Sequence, residues 1–531
     1  KELLDGIDVK GELQLIADIN GTYNSSSMPI INAEIAYDKG FFAMPELLPY
    51  PISDIKTSLK LDLDLNNKSD IYVNLLKANM SNSSLNMTGT IKDVMNKMIC
   101  NINMKATADI DELYSYIPED IKANGIVNLD VQAAFNNEQI TNMDLMKTKI
   151  KGEVQWDDMH ITYYDTITAD ADKLNISINI PNSASQELSN SLAAINIKGD
   201  NLNANVSDMI ATALKDYNIH AQISNLLNEN SPMSICADFG ISRVDFRMDD
   251  IDVSANNPSG TLAMLSSNNS DNTSYIIAYN GDSLSFNMGE EMDFVTEALN
   301  FNLSANHNSN QQDILLQWNP HAGIKLTNAI FSMKDLTKPV YIPSIDFNYD
   351  TTGIVINKSS ILFGNSDFSL QGAFTNVDEF IRKEELLIGN LDFTSRYTDI
   401  NELMTIFSGM GDTTIVANEN EAITDTIQKE DDPFIVPLGV DITLNTMIEN
   451  AVASDMKLSN IRGGLRVKDG ILVLQEMGFT SDAATMMVTA MYKSPRKNHL
   501  YLGLDLHLLE IDIAEMINLI PELDTIVPML K

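Results

Sequence analysis

Apolar and polar residues alternate with a period of two along most of this chain. Leu59, Leu61, Leu63 and Leu65 are separated by Lys60, Asp62 and Asp64. The same alternation returns at Val127, Leu129 and Val131, at Leu174, Ile176, Ile178 and Ile180, and at Leu502, Leu504, Leu506 and Leu508. Side chains of a strand point alternately to opposite faces, so each run predicts a strand with one apolar and one wet face. Asp38-Lys39-Gly40, Asn280-Gly281-Asp282 and Lys468-Asp469-Gly470 read as turns between them. The prediction is a mainly β protein, an antiparallel sheet of many short strands. Polar stretches around Ser254 to Ser274 and Ser408 to Pro433 read as long loops, the second strongly acidic.

Three segments break the alternation and resemble one another: Asp109-Ile110-Asp111-Glu112-Leu113, Asp399-Ile400-Asn401-Glu402-Leu403 and Asp512-Ile513-Ala514-Glu515-Met516. Each opens with an Asp suited to cap a helix and has Glu three residues later, a capping-box arrangement. Apolar residues then fall on one helical face: Ile110, Leu113, Tyr114 and Ile117 in the first, Ile400, Leu403, Met404 and Phe407 in the second. Pro118 and Pro521 stop the first and third helices. These short helices are expected to clasp the end of a sheet segment. Upstream, Leu85 to Ile91 parallels Phe368 to Phe374, so the segments are internal repeats. Gly89 and Gly372 are 372 − 89 = 283 apart and the capping aspartates 399 − 109 = 290, a drift of seven residues. A degenerate copy is expected near Ile195 to Leu214.

A sheet with one apolar face must cover it, at roughly 25 cal/mol per Å² left in water. The clasps are too short and too few for some thirty strands, roughly one per 15 residues. Two solutions follow. The sheet packs against itself as sandwiches or barrels, or it curls into a trough whose lining is covered by hydrophobic cargo. Strands about 4.8 Å apart would extend such a trough on the order of 150 Å. Composition favours neither. Hydrophobic residues are 44% of the 531, while aromatics are 7% and methionines number 27, so the apolar material is aliphatic and flexible. Charge is more decisive: 35 Lys+Arg against 74 Asp+Glu gives −39, which repels phosphate backbones and excludes a nucleic-acid partner. Much of that acid alternates with aliphatic residues and belongs to the wet face.

Catalytic and metal-binding chemistry has little support. His160, His220, His307, His321, His499 and His507 include no pair at ligand spacing on a helix. Asp62, Asp64 and Asn66 imitate the start of a calcium loop, but Asn67 replaces its glycine and Val73 its bidentate Glu. No nucleophile elbow, P-loop or dinucleotide fingerprint is present, so the chain reads as a non-enzyme without cofactor. Cys100 and Cys236, 136 positions apart, are either two buried thiols or one disulfide. No apolar run reaches eighteen residues. The chain starts at Lys1 without a signal-peptide pattern, and a preceding membrane anchor is expected in a longer protein.

The opening Lys10-Gly11-Glu12-Leu13-Gln14-Leu15-Ile16-Ala17-Asp18-Ile19-Asn20-Gly21, the segment Phe41 to Ile55 with Pro49-Tyr50-Pro51-Ile52, and the run from Gly470 to Pro528 resemble the AsmA-like family of Gram-negative envelope proteins. The form is that of Asn- and Ile-rich Bacteroidetes-like sequences. The resemblance implies a long, curled antiparallel sheet forming an elongated hydrophobic groove of repeated units. It implies a periplasmic protein, anchored to the inner membrane, that conducts phospholipid or other acyl lipid toward the outer membrane. The candidate lining is Leu59, Leu61, Leu63, Leu65, Ile102, Met104, Val127, Leu129, Val131, Leu174, Ile176, Ile178, Leu391, Phe393, Leu502, Leu504 and Leu506. Repeat units are expected at 1–120, 121–310, 311–410 and 436–531, with an acidic loop at 411–435. The alternative is a structural envelope scaffold with a self-packed β core.

Overall fold

The computed structural model of the chain describes residues 7–513 and 515, apart from 25–27, 46–47, 65–66, 143–146, 181–191, 225–231, 267–271, 335, 337, 403–435, 455 and 497–498. The described chain is mainly β with a few short helices, and all but one of the strand pairings described below are antiparallel. It divides into two compact units, residues 1–282 with 306–312 and residues 283–305 with 313–531.

Unit one opens with β1 (Asp8–Asn20), β2 (Ile30–Ala43), β3 (Ile52–Leu63), β4 (Ser69–Met80), β5 (Ser83–Lys92) and β6 (Ile99–Asp109). It continues with β7 (Ile121–Phe135), β8 (Lys149–Tyr163), β9 (Ile167–Ile180), β10 (Leu192–Val206), β11 (Ile210–Ser224) and β12 (Ser234–Met248). Each of these pairs antiparallel with the next, so the twelve strands form an uninterrupted meander. Half of β12 then pairs with β13 (Ile251–Asn256) and the other half with β14 (Ser259–Ser266), which pairs with β15 (Asn272–Gly281). The stretch Ser254 to Ser274, expected as a loop, is therefore largely strand. Its Thr, Ser and Asn side chains satisfy the wet face, and a polar run of alternating faces is not a loop signal. Ile195 to Leu214 forms parts of β10 and β11 and the turn between them.

Unit two contains β16 (Ser283–Met288), β17 (Met292–Thr296), β18 (Ala298–Asn308) up to Ala305, β19 (Pro320–Met333), β20 (Val340–Asp350), β21 (Gly353–Phe363), β22 (Ser366–Thr375) and β23 (Leu387–Asp399). After the undescribed segment come β24 (Val440–Ala453), β25 (Met456–Lys468), β26 (Ile471–Ser481), β27 (Ala484–Arg496) and β28 (His499–Ile511). Strands β17 and β18 share β19, and β19 to β23 form a meander. β23 and β24 then run parallel, from Leu387 against Val440 to Asp399 against Val452, before the meander resumes to β28. Parallel neighbours cannot be joined by a tight hairpin, and residues 400–439 separate these two in sequence. Ser408 to Pro433 itself lies outside the described residues. Lys468-Asp469-Gly470 makes the expected turn between β25 and β26. Asp38-Lys39-Gly40 does not turn. It lies inside β2, where Lys39 takes φ 50° at a register shift, a bulge that bends the strand.

The clasps are partly helical, and the glutamates of the first two do something other than cap. The first is a 3-10 turn, Ile110–Tyr116, capped as expected by Asp109, whose carboxylate accepts from Asp111 N at 3.2 Å. Glu112 does not fold back onto that cap. Its carboxylate is buried and accepts from Asn82 N and Ser83 Oγ, each at 3.0 Å, in the turn between β4 and β5. Ser83 Oγ also accepts from Asp109 N at 2.9 Å. The second clasp repeats the arrangement: Glu402 accepts from Asn365 N and Ser366 Oγ at 3.1 and 3.2 Å, and Asp399 N donates to Ser366 Oγ at 2.9 Å. In the third, Ala484 stands where the others have serine, and Asp512 N donates to Ala483 O at 2.8 Å. Each clasp thus fastens the end of one strand to a hairpin turn two strands back. The seven-residue drift is also explained. The connections 93–98 and 376–386 differ by 11 − 6 = 5 residues, and β6 and β23 by 13 − 11 = 2. The longer connection holds the helix Val377–Ile381.

Burial pushes the Glu112 carboxyl up, but hydrogen bonds from Ser81, Asn82 and Ser83 outweigh it and hold the group below its ordinary range; Glu402 follows the same pattern with Lys338 at 2.7 Å. A carboxylate with a depressed folded pKa contributes stability that is present above its unfolded value and lost as pH falls through the folded one. Glu112→Gln is expected to cost about 1–3 kcal/mol at pH 7 in a denaturant titration. The gap between variant and wild type should narrow as pH falls below the ordinary range of a free Glu and the wild-type carboxylate protonates. A gap that stays the same from pH 7 to the acid limit of the folded state would contradict the lock.

Candidate functional site

The register places the aliphatic positions of successive strands directly opposite one another, in rows across the sheet. In unit one Leu85, Ala106, Leu129, Val154, Ile176, Ile197, Ile219 and Phe239 form one row from β5 to β12. Beside it run Met87, Met104, Val131, Gly152, Ile178 and Ile195, and Ala108, Val127, Trp156, Leu174, Gly199 and Tyr217. Leu59, Val73, Gly89, Ile102 and Ala133 make a further row that begins on β3. In unit two Phe301, Ile324, Phe347, Ile356, Gly372, Leu391, Leu444, Leu465, Leu474, Ala490 and Leu504 are successive partners from β18 to β28. The parallel pair preserves the row, because Leu391 stands beside Leu444.

The candidate residues fall on these faces. Leu59, Leu61, Leu63, Ile102, Met104, Leu129, Val131, Leu174, Ile176, Ile178 and Phe393 are half-buried, and Val127 and Leu391 are buried. Leu502, Leu504 and Leu506 lie on β28, which pairs only with β27 among the described strands, and are exposed. Leu65 lies outside the described residues.

These faces are not closed. Among the described residues the largest side chain less than 2% exposed is Val436; the others of any size are threonines and serines. A cluster of buried apolar residues, Ile448, Ala451 and Ile461, is small, with Phe393, Ile400, Leu458, Met477 and Phe479 packed against it. Ile400 comes from the second clasp, so that clasp does press an apolar residue onto the sheet, whereas Tyr114 of the first is exposed. Tyrosines pack on glycines of the same faces. Tyr217 lies opposite Gly199 on β10, and a Cβ at Gly199 would meet the Tyr217 phenol. Only glycine fits there, and the ring covers the backbone that the missing side chain leaves bare. Burial pushes the Tyr217 phenol up, with Asp200 adding to the effect.

The opposite face is polar and paired. Lys105, Asp130, Glu153, Ser177, Asn196, His220, Asp238 and Thr261 form a row there. Lys105 Nζ meets Asp130 at 2.8 Å, Asn196 Nδ2 donates to Ser177 Oγ at 3.1 Å, and Thr261 Oγ1 donates to Asp238 at 2.6 Å. Asp62 pairs with Lys60 at 3.0 Å. In unit two Arg466 holds the Asp441 carboxyl well below its usual range, at about 2, with Lys468 assisting.

No group of three or more His, Cys, Asp or Glu able to hold a metal ion occurs among the described residues. Cys100 and Cys236 are thiols, not a disulfide, and Cys100 is buried. The buried Asp378 accepts from Tyr349 Oη at 2.8 Å; desolvation, then Asp378, push that phenol up to about 12. No helix among the described residues is long and apolar enough to cross a membrane.

The open and closed parts of the apolar face differ in what a truncation costs. Ile448→Ala is expected to lose about 2–4 kcal/mol in denaturant titrations, whereas Leu504→Ala, 63% exposed in the wild type, should change stability by less than about 0.5 kcal/mol. Equal, large losses would show that β28 is covered.

No protein-family profile, curated protein or solved structure matches this chain.

Proposed function

We propose that the chain is a non-catalytic lipid-binding protein that holds acyl chains along the aliphatic rows of its sheet. The observation that carries this reading is the pairing of continuous aliphatic rows with their incomplete burial. A self-packed scaffold would enclose leucine and isoleucine side chains of interior strands, yet Leu129, Ile176 and Leu174 are half-buried. Acyl chains are the cargo whose chemistry matches a face of Leu, Ile, Val and Met with few aromatics. Small residues such as Gly152, Gly372 and Ala490 interrupt the larger side chains within the rows.

The mechanism is passive. Each buried methylene contributes about 0.8 kcal/mol, so a sixteen-carbon chain gains at most roughly 13 kcal/mol and seldom escapes to water. Movement along a row exchanges one aliphatic contact for the next, at nearly no net cost. In a Gram-negative envelope this is a periplasmic role: an inner-membrane anchor outside this sequence holds the protein while phospholipid passes toward the outer membrane. The acidic wet face disfavours lying flat on anionic bilayers, which suits a protein that touches membranes at its ends.

Native mass spectrometry and organic extraction of the purified protein should find bound phospholipid. Ile176→Asp places a charge in mid-row and should reduce it by about tenfold or more, with strand content by circular dichroism retained. Leu504→Asp, on an exposed strand, should leave the fold intact and impair transfer between vesicles. Lipid-free wild-type protein, or variants that carry and transfer lipid as the wild type does, would sink the reading.

A further inference from the structure

In unit two the connections 313–319, 351–352, 376–386, 436–439 and 469–470 lie at one end of strands β19 to β26. Six large apolar side chains stand exposed along them: Ile314, Leu316, Trp318, Ile381, Leu386 and Leu438, with Leu438 73% and Ile314 66% accessible. The other end of the same strands, formed by 334–339, 364–365, 400–402, 454 and 482–483, exposes no large apolar side chain among its described residues. The apolar end is tied together. Arg382, next to the helix Val377–Ile381, reaches Asp313 at the start of the helix Ile314–Trp318 at 3.7 Å. Leu387 N donates to Gly439 O at 3.0 Å, and Gly470 N donates to Pro437 O at 2.9 Å. Along this end Tyr349, Ile354, Phe374, Gly389, Ile442 and Val467 are successive partners, on the face that carries Phe347, Ile356 and Leu391. The five connections hold six carboxylates, of which Glu384, Glu385 and Asp469 are exposed, against Arg382 and Lys383.

We infer that this end of unit two docks on a zwitterionic phospholipid bilayer, with its leucine, isoleucine and tryptophan side chains in the interface. This rests on the lipid-binding reading above and adds the surface across which a lipid reaches the rows. Exposed aliphatic side chains gathered on one surface mark a contact, and the boundary between headgroups and acyl chains accepts them without a complementary shape. Tryptophan is at home at that depth. Charge selects the bilayer. Glu384, Glu385 and Asp469 are repelled by anionic headgroups and meet the outermost ammonium of phosphatidylcholine or phosphatidylethanolamine favourably. A second copy of the chain presenting the same end would instead set these carboxylates against one another. Because the row from Tyr349 to Val467 runs along this end, an acyl chain leaving the bilayer passes from one apolar surface to the next.

The test is flotation of the whole chain with vesicles of phosphatidylcholine and, separately, of phosphatidylglycerol at low salt. The chain should float with the first and about fivefold less with the second. Leu316→Ser/Ile381→Ser/Leu438→Ser, all at exposed positions, should keep the strand content seen by circular dichroism and the phospholipid recovered by extraction. The same variant should lose flotation by about tenfold or more. In Trp156→Phe, which leaves Trp318 as the sole tryptophan, phosphatidylcholine vesicles brominated in the acyl chains should quench the emission. Glu384→Gln/Glu385→Gln/Asp469→Asn should raise flotation with phosphatidylglycerol. Equal flotation with both vesicle types, flotation unchanged in the serine variant, an unquenched Trp318, or a dimer in sedimentation that the serine variant dissociates overturns the docking and leaves the lipid-binding reading standing. A wild type with neither extractable phospholipid nor flotation overturns both.

Discussion

An antiparallel sheet whose strands alternate aliphatic and polar residues has an apolar face that must be covered, and the described residues offer little to cover it with. The helices described among them are five to seven residues long. The register makes the problem more acute, because it aligns the aliphatic positions of neighbouring strands into rows instead of dispersing them. From that constraint come the half-burial of Leu129 and Ile176, the small size of the Ile448 cluster, and the need for something else to lie on the face. The wet face meets no such difficulty, since Lys105–Asp130 and Asn196–Ser177 pair across strands and solvent supplies the rest.

A sheet without a large core has to be held in register by other means. The clasps do this with charge-assisted hydrogen bonds. Glu112 and Glu402 each anchor a strand end to the turn of the preceding hairpin, at matching places in the two units. Tyr217 on Gly199 is a second device, filling the gap left by a residue without a side chain. Both act locally along the ladder, at strand ends and at single glycine positions.

Much of this was legible in the sequence, for a physical reason: a period of two survives any tertiary arrangement of strands. Leu59 to Leu63, Val127 to Val131 and Leu174 to Ile178 read directly as strands with a shared apolar side. The repeated Asp-to-Glu segments were legible as repeats and as helix starts. The role of their glutamates was not, because a capping box and a lock on a distant turn have the same local spacing; only Ser83 and Ser366 at matching offsets distinguish them. The parallel pair β23–β24 left no signal, since each strand alternates as any other does. Ser254 to Ser274 misled because Ser, Thr and Asn on a wet face look like loop residues.

On the proposed function, acyl chains lie on the aliphatic rows and nowhere else. A phospholipid with a photoreactive group in its acyl chain, crosslinked to the purified protein and mapped by peptide mass spectrometry, addresses this directly. Adducts at row positions such as Leu129, Ile176 and Leu444 are predicted. Adducts confined to the polar face around Lys105 and Asp130, or none above the level given by a water-soluble photoprobe, would contradict the account.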